Sequence, residues 1–226
     1  MVSIDAVLDL LDVVDLDRYP LNDPDSVAYA DLVERCRAQL AETGASELED
    51  FLNGPGLDLM LADAIELEPQ AFRSGGLGTA YLGPPTRPCP RTIPAATGAT
   101  TELARWPTTC SRPTRRSAGC TSLPLRDADV DGDFEVVPRV RSADDERYDN
   151  VARVLAGDTT DVVMLPMSPG TLLIFEGRHS IHRVTPIAGA TTRLVGLFGY
   201  DTQPGTMSSE LLKLVRYGRS EPVATS

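Results

Sequence analysis

Residues 169–205 read PGTLLIFEGRHSIHRVTPIAGATTRLVGLFGYDTQPG, and this stretch decides the fold. Apolar runs alternate here with Pro and Gly turns, which predicts strands over 170–177, 179–187 and 193–201. We expect the last two strands to form a hairpin around residues 188–190. Short strands separated by such turns favour a sandwich or jelly roll over a parallel sheet.

Both histidines of the chain, His179 and His182, lie in the second of these strands. Side chains alternate between the two faces of a strand, so these two histidines point to opposite faces and cannot both bind one metal ion. In the expected hairpin, His182 lies opposite Arg193 on the same face. An imidazole that binds a cation, next to a guanidinium that binds a carboxylate, would suit a metal ion with an anionic co-ligand. A hydrogen-bonded strand histidine and a surface arginine are the ordinary alternative.

Three segments extend the pattern upstream of the deciding stretch. DFEVVPRV (133–140) and DVVMLPM (161–167) predict further strands, with a short helix between them over DDERYDNVARVLAG (144–157). We therefore expect residues 123–226 to form a jelly-roll core.

The N-terminal part, residues 1–87, has a different pattern, which predicts two amphipathic helices. The first covers residues 22–44, with Asp23 as a capping residue and Gly44 at its end. The second covers residues 55–67. Together with the strands, these helices indicate an α+β fold in which a helical N-terminal part precedes the jelly roll.

Residues 88–122, PCPRTIPAATGATTELARWPTTCSRPTRRSAGCTS, fit neither part and show no helix or strand periodicity. A disordered Pro/Thr-rich loop is one interpretation, but so long a structureless segment is unusual inside a compact domain. We hypothesise that the segment is translated out of frame and that a coding stretch after it is missing. Twenty Arg against one Lys indicate GC-rich codons, and a one-base shift of residues 106–122 can then encode an amphipathic sequence. An intact reading frame in the nucleotide sequence would contradict this.

Composition restricts the class of partner. A net charge of −12 argues against nucleic acid, which is bound by a basic surface. The chain has no apolar run long enough for a membrane helix and no basic segment of the kind that begins a signal peptide. Four cysteines without CxxC spacing predict a reduced, cytoplasmic protein, and none lies in a motif typical of a nucleophile. The oligomeric state stays open.

The deciding stretch, 169–205, resembles the C-terminal core of the non-haem Fe(II)/2-oxoglutarate-dependent oxygenases, and most of all the bacterial free-amino-acid hydroxylases and halogenases. Three more segments are similar to the same group: GDFEVVPRVRSADDERYDNVARVLAGD (132–158), YPLNDPDSVAYADLVERCRAQLAETGA (19–45) and AFRSGGLGTAYLGPP (71–85). The fold that this resemblance implies is a double-stranded β-helix, the jelly roll of these oxygenases.

The resemblance also implies Fe(II) and 2-oxoglutarate as cofactors and a free amino acid as substrate. His182 matches the distal iron-binding histidine, and Arg193 matches the arginine that pairs with the far carboxylate of 2-oxoglutarate. His179 has no implied ligand role. The family's first ligand motif, His-x-Asp or His-x-Gly/Ala, should precede GDFEVVP, but no histidine precedes His179. We expect the carboxylates in this part of the chain to be solvated: Asp127, Asp129, Asp131 and Asp133.

One histidine without its partner ligands cannot hold Fe(II) in the facial geometry of these enzymes. We therefore expect an oxygenase, either a hydroxylase or a halogenase, that is impaired or inactive in this chain. The alternatives are a non-catalytic acidic jelly-roll binding module and a non-functional truncated gene product. Turnover of 2-oxoglutarate with added Fe(II) separates the first from the others, and a cooperative thermal transition separates the second from the third.

Overall fold

The structure is a computed structural model that describes residues 12–70, 117–165 and 167–201, with a few isolated positions after that. Expectations about residues 71–116, which include most of the segment predicted to be irregular, fall outside the described residues.

The first helix, α1, spans Val27–Thr43. The hydroxyl of Ser26 caps its N-terminus by accepting a hydrogen bond from the backbone N–H of Tyr29. Gly44, at φ +80°, ends the helix in the left-handed conformation that glycine adopts without steric cost. The end agrees with the sequence prediction, whereas the cap is Ser26 and not Asp23.

The second helix, α2, spans Gly54–Leu67, and the side chain of Asn53 caps it by accepting from the N–H of Gly56. A single 3₁₀ turn, Glu68–Gln70, follows. The third helix, α3, spans Tyr148–Leu155. The predicted second and third helices are therefore confirmed. None of the described helices is long and apolar enough to cross a membrane.

The described residues contain nine strands: β1 Ala45–Leu48, β2 Ser117–Arg126, β3 Val130–Asp131, β4 Phe134–Val137, β5 Val163–Leu165, β6 Leu172–Phe175, β7 Ile181–Val184, β8 Ile187–Ala188 and β9 Leu194–Asp201. They form a four-stranded sheet in the order β1-β6-β2-β9, a three-stranded sheet in the order β5-β4-β7, and the pair β3-β8. Every strand pair is antiparallel. The α+β class is thus confirmed, and the double-stranded β-helix stays a prediction.

The sequence prediction of a hairpin between the last two strands is wrong. β7 pairs with β4, where His182 lies opposite Val136. β9 pairs instead with β2, in the other sheet. The short strand β8 lies between them and pairs with β3. The chain therefore passes from one sheet to the other after β7, and His182 does not lie opposite Arg193.

Three further strands, β1, β2 and β3, lie where the sequence analysis predicts none. β1 joins the edge of the four-stranded sheet, where Leu48 pairs with Leu172. The N-terminal part therefore supplies a strand in addition to two helices. β2 begins at Ser117 and lies between β6 and β9. The interpretation of residues 88–122 as wholly irregular is therefore corrected for 117–122, which gain their order by pairing with two neighbouring strands.

The two larger sheets face each other across one apolar core. Its buried side chains come from both sheets and the segment that follows β5: Ala45, Phe134, Val136, Leu165, Met167, Leu173 and Phe175. The outer face of the three-stranded sheet packs under α3, where Val137 and Ile181 meet Val151 and Val154. Packing on both of its faces makes the three-stranded sheet a firm support for the side chains on its inner face.

Candidate functional site

His182 lies on the inner face of the three-stranded sheet. Its partner across the strand pair is Val136, a core residue, and opposed residues in an antiparallel pair share a face. Its neighbours Ile181 and Arg183 point to the opposite face, where Ile181 packs under α3. The strand alternation predicted for this stretch is therefore confirmed for residues 181–184.

The ring of His182 packs against two phenylalanines of the core. Its centroid lies 5.0 Å from that of Phe175, at an interplanar angle of 73°, and 5.7 Å from that of Phe134. The two phenylalanine rings are themselves 5.3 Å apart, edge to face. These separations are in the range of favourable aromatic contacts. The imidazole is therefore held in one orientation by packing with both sheets.

Arg193 precedes the first residue of β9 and is partly buried. Its side chain runs over Gly132, where a built Cβ would lie 3.4 Å from the arginine Cδ. Burial lowers the pKa of its guanidinium, and the nearby Asp127 carboxylate raises it in part. The Nη2 atom is buried and has no hydrogen-bond partner among the described residues. A buried donor in this state is costly unless a ligand or water satisfies it.

Contacts through one loop connect the ends of the strands next to His182 and Arg193, even though these strands do not pair. The hydroxyl of Thr185, just beyond β7, accepts hydrogen bonds from the N–H of Gly132 at 3.0 Å and of Asp133 at 2.9 Å. Gly132 in turn lies under the side chain of Arg193. The end of β7 and the start of β9 therefore meet at the loop between β3 and β4.

The sequence analysis places the second histidine, His179, in the same strand as His182, and this is wrong, because His179 lies in the turn before β7. Its Nδ1 is 4.0 Å from a carboxylate oxygen of Glu176, and its backbone oxygen accepts from the N–H of Arg141 at 3.2 Å. These contacts tie the turn together. The absence of a ligand role for His179 stays a prediction.

The aspartates expected to be solvated are exposed where their side chains are described, at Asp127, Asp129 and Asp133. Asp129 nevertheless has a defined role, because its carboxylate accepts hydrogen bonds from the N–H groups of Ala190 and Thr191 at 2.8 and 2.9 Å. Hydrogen bonds from Thr191 and Ala190 lower its pKa. Sequence reasoning missed this contact because the partners are 61 and 62 residues away along the chain.

The described residues do not fit the three-ligand iron site that the family resemblance implies. Within the parts of the chain that the structure describes, no group of three or more His, Cys, Asp or Glu side chains is placed to hold a metal ion. His182 brings an imidazole to the inner face, and its ring neighbours Phe134 and Phe175 offer no ligand atoms. A facial site with open positions needs two histidines and usually a carboxylate.

Comparisons with known proteins add little to this geometry. No protein-family model matches the chain, and no curated protein matches it. Among solved structures it is similar to a prolyl-4-hydroxylase from Pseudomonas putida, with 16% sequence identity and a TM-score of 0.40 over 74% of this chain and 92% of that chain. A likeness at this level carries no argument about fold or function.

Proposed function

We propose that this chain is an oxygenase of the Fe(II)/2-oxoglutarate type, most like the free-amino-acid hydroxylases and halogenases, in which the metal half of the site is incomplete. It retains Arg193 for the carboxylate of 2-oxoglutarate, and His182 stands at the position of the family's distal iron-binding histidine. The two antiparallel sheets that face each other across one core support a double-stranded β-helix. As written, the chain is impaired or inactive as an enzyme, and its substrate class is a free amino acid.

The single observation that carries the anion half of this proposal is the state of Arg193. A guanidinium that is partly buried, with a lowered pKa and a buried donor that lacks a partner in the described structure, costs stability. A carboxylate ligand removes that cost, because it supplies both the opposite charge and hydrogen-bond acceptors in the geometry of the guanidinium fork. The Asp127 carboxylate partly raises the pKa of Arg193, but no ion pair within 4.0 Å joins the two side chains among the described contacts.

The incomplete metal half follows from the surroundings of His182. Two aromatic rings hold its imidazole, and no metal-binding cluster exists within the described residues. One neutral imidazole holds a divalent iron ion only weakly, since affinity and geometry come from the full ligand set and from the groups that orient it. No step of an oxygenase reaction is therefore assigned to these residues.

The test measures iron and co-substrate binding separately on the purified chain. Under anaerobic conditions, Fe(II) binding should be equally weak in the unaltered protein and in His182→Ala. Binding of 2-oxoglutarate without metal should be detectable by NMR or calorimetry and lost in Arg193→Ala. Arg193→Lys, which keeps the charge but not the two-pronged geometry, should bind more weakly than the unaltered protein. One tightly bound iron per chain that disappears in His182→Ala would contradict the incomplete metal site. Binding of 2-oxoglutarate that is unchanged in Arg193→Ala would contradict the co-substrate role.

A second candidate function, a non-catalytic acidic binding module, is favoured by the same unsatisfied guanidinium. It predicts carboxylate binding through Arg193 without any turnover of 2-oxoglutarate when Fe(II) is added. Measurable turnover, lost in His182→Ala, would exclude it and restore an active oxygenase. The absence of a cooperative thermal transition would instead favour a gene product that does not fold.

A further inference from the structure

The turn that precedes Arg193 is held by hydrogen bonds to a side chain in the loop between β2 and β3. Two consecutive backbone N–H groups, of Ala190 and Thr191, donate to the same carboxylate oxygen, Oδ2 of Asp129, at 2.8 and 2.9 Å. Gly189, at φ +99°, lies so close to Asp129 that a Cβ on the glycine would come within 2.5 Å of that oxygen. A glycine is therefore required at this position for the carboxylate to reach both N–H groups.

The next residue of the turn, Thr192, is held from a second direction. Its backbone oxygen accepts a hydrogen bond from Nε of Arg126 at 2.7 Å, and its hydroxyl hydrogen-bonds to a carboxylate oxygen of Glu68 at 3.0 Å. The other carboxylate oxygen of Glu68, Oε2, is 3.9 Å from Nη2 of Arg126. The three residues before Arg193 are thus each fixed by a named hydrogen bond, and the chain enters β9 along one defined path.

Arg193 is the first residue after the hydrogen-bonded residues 190–192. Its stem lies against Gly132, since a Cβ built on that glycine would be 3.4 Å from Cδ of the arginine. The guanidinium keeps an unsatisfied buried donor within the described structure. An arginine held in place before a ligand arrives loses less conformational entropy when the ligand binds.

We propose that Asp129 is the positioning residue for Arg193: by binding the N–H groups of residues 190 and 191, it holds the turn that presents the guanidinium to a carboxylate ligand. This inference rests on the proposed role of Arg193. Both bonds converge on one oxygen of Asp129, so a single acceptor oxygen is enough to hold the turn, and the negative charge only strengthens the two bonds. Asparagine has one carbonyl oxygen and should therefore replace the aspartate, whereas alanine should not.

The experiment follows the Nε–Hε NMR signal of Arg193, which is assigned by its loss in Arg193→Lys. In the unaltered protein, in Asp129→Asn and in the matched control Asp133→Ala, which removes an exposed carboxylate from the neighbouring loop, the heteronuclear NOE should show an ordered side chain. In Asp129→Ala it should fall, while the amide spectrum shows that the rest of the protein remains folded. The dissociation constant for 2-oxoglutarate, titrated on the same signal, should rise about tenfold in Asp129→Ala only.

Several results would overturn the inference. They are an unchanged NOE in Asp129→Ala, a loss of order in Asp129→Asn equal to that in Asp129→Ala, or the same loss in Asp133→Ala. If Asp129→Ala does not fold, Thr192→Val removes the bond to Glu68 from the other side of the turn, and it should also lower the NOE of Arg193. A signal that does not respond to 2-oxoglutarate in the unaltered protein would refute the proposed function, whereas the NOE series would still decide whether Asp129 positions Arg193.

Discussion

The surroundings of His182 and of Arg193 differ in how each side chain is held. His182 lies between two sheets, with its ring packed against Phe175 and Phe134. Arg193 follows a hydrogen-bonded turn, which Asp129 fastens through two backbone N–H groups. Aromatic packing holds the ring of His182 in place. The buried Nη2 donor of Arg193 has no hydrogen-bond partner within the described chain, which is the state expected of a side chain that binds a ligand.

The largest expected effect tests the packing around His182. Phe175 is 3% exposed and contacts both Phe134 and His182. Phe175→Ala should therefore lower the free energy of unfolding by about 3–5 kcal/mol, through lost burial and the cavity that remains. Denaturant unfolding measures this loss. The control is Phe198→Ala at a phenylalanine that is 47% exposed, where a change within about 0.5 kcal/mol is expected. Equal losses in the two variants would show that His182 does not lie in a packed core.

An intermediate effect is expected in the turn before Arg193. Gly189→Ala combines a backbone at φ +99° with a Cβ that would come within 2.6 Å of Cβ of Asp129. The left-handed backbone alone costs a residue with a Cβ about 1–2 kcal/mol, and displacement of Asp129 adds to this. Gly157→Ala is the matched control, since Gly157 has φ +101° and a Cβ there would meet nothing within 4 Å. Thermal unfolding should show a larger loss for Gly189→Ala. Equal losses would mean that the Asp129 contact contributes nothing to stability.

The smallest effect is a pH dependence of the same turn. Hydrogen bonds from Thr191 and Ala190 lower the pKa of Asp129 below its usual value of 3.8. A carboxyl group with a lowered folded-state pKa contributes stability above its unfolded pKa, and this contribution is lost as the pH falls through the folded pKa. The Tm advantage of the unaltered protein over Asp129→Asn should therefore shrink below about pH 4. Thermal scans between pH 6 and pH 2 check this, with Asp133→Asn as the control. A Tm difference that stays constant to pH 2 would contradict it.

Local patterns predicted much of the secondary structure. The capping side chain of Asn53, the glycine at position 44 and the apolar runs of the last strands all act through near neighbours in the chain. α2, the end of α1 and β9 therefore lie close to where the sequence predicts them. The sequence predicts the start of α1 too early because Asp23 and Ser26 are both good capping residues, and only the folded backbone selects Ser26.

The candidate site was predicted less completely. The face of His182 followed from strand alternation and is confirmed. Its pairing with Arg193 across a hairpin is wrong, since β8 turns away to pair with β3 and sends β9 to the other sheet. The role of Asp129 carried no local signal, because a hydrogen bond between residues so distant in the chain exists only once both loops are placed.

The sequence by itself determined the helices and the strands β4 to β7 and β9, which face of β7 carries His182, and that no histidine precedes His179. These properties depend on capping, on side-chain alternation and on residue identity, all of which are local. Only the tertiary structure decided that β7 and β9 lie in different sheets, that β1 and β2 join the four-stranded sheet, and that Asp129 fastens the turn before Arg193. The physical reason is that a two-residue period fixes the faces of a strand but not its neighbour, which is chosen by packing across the whole core.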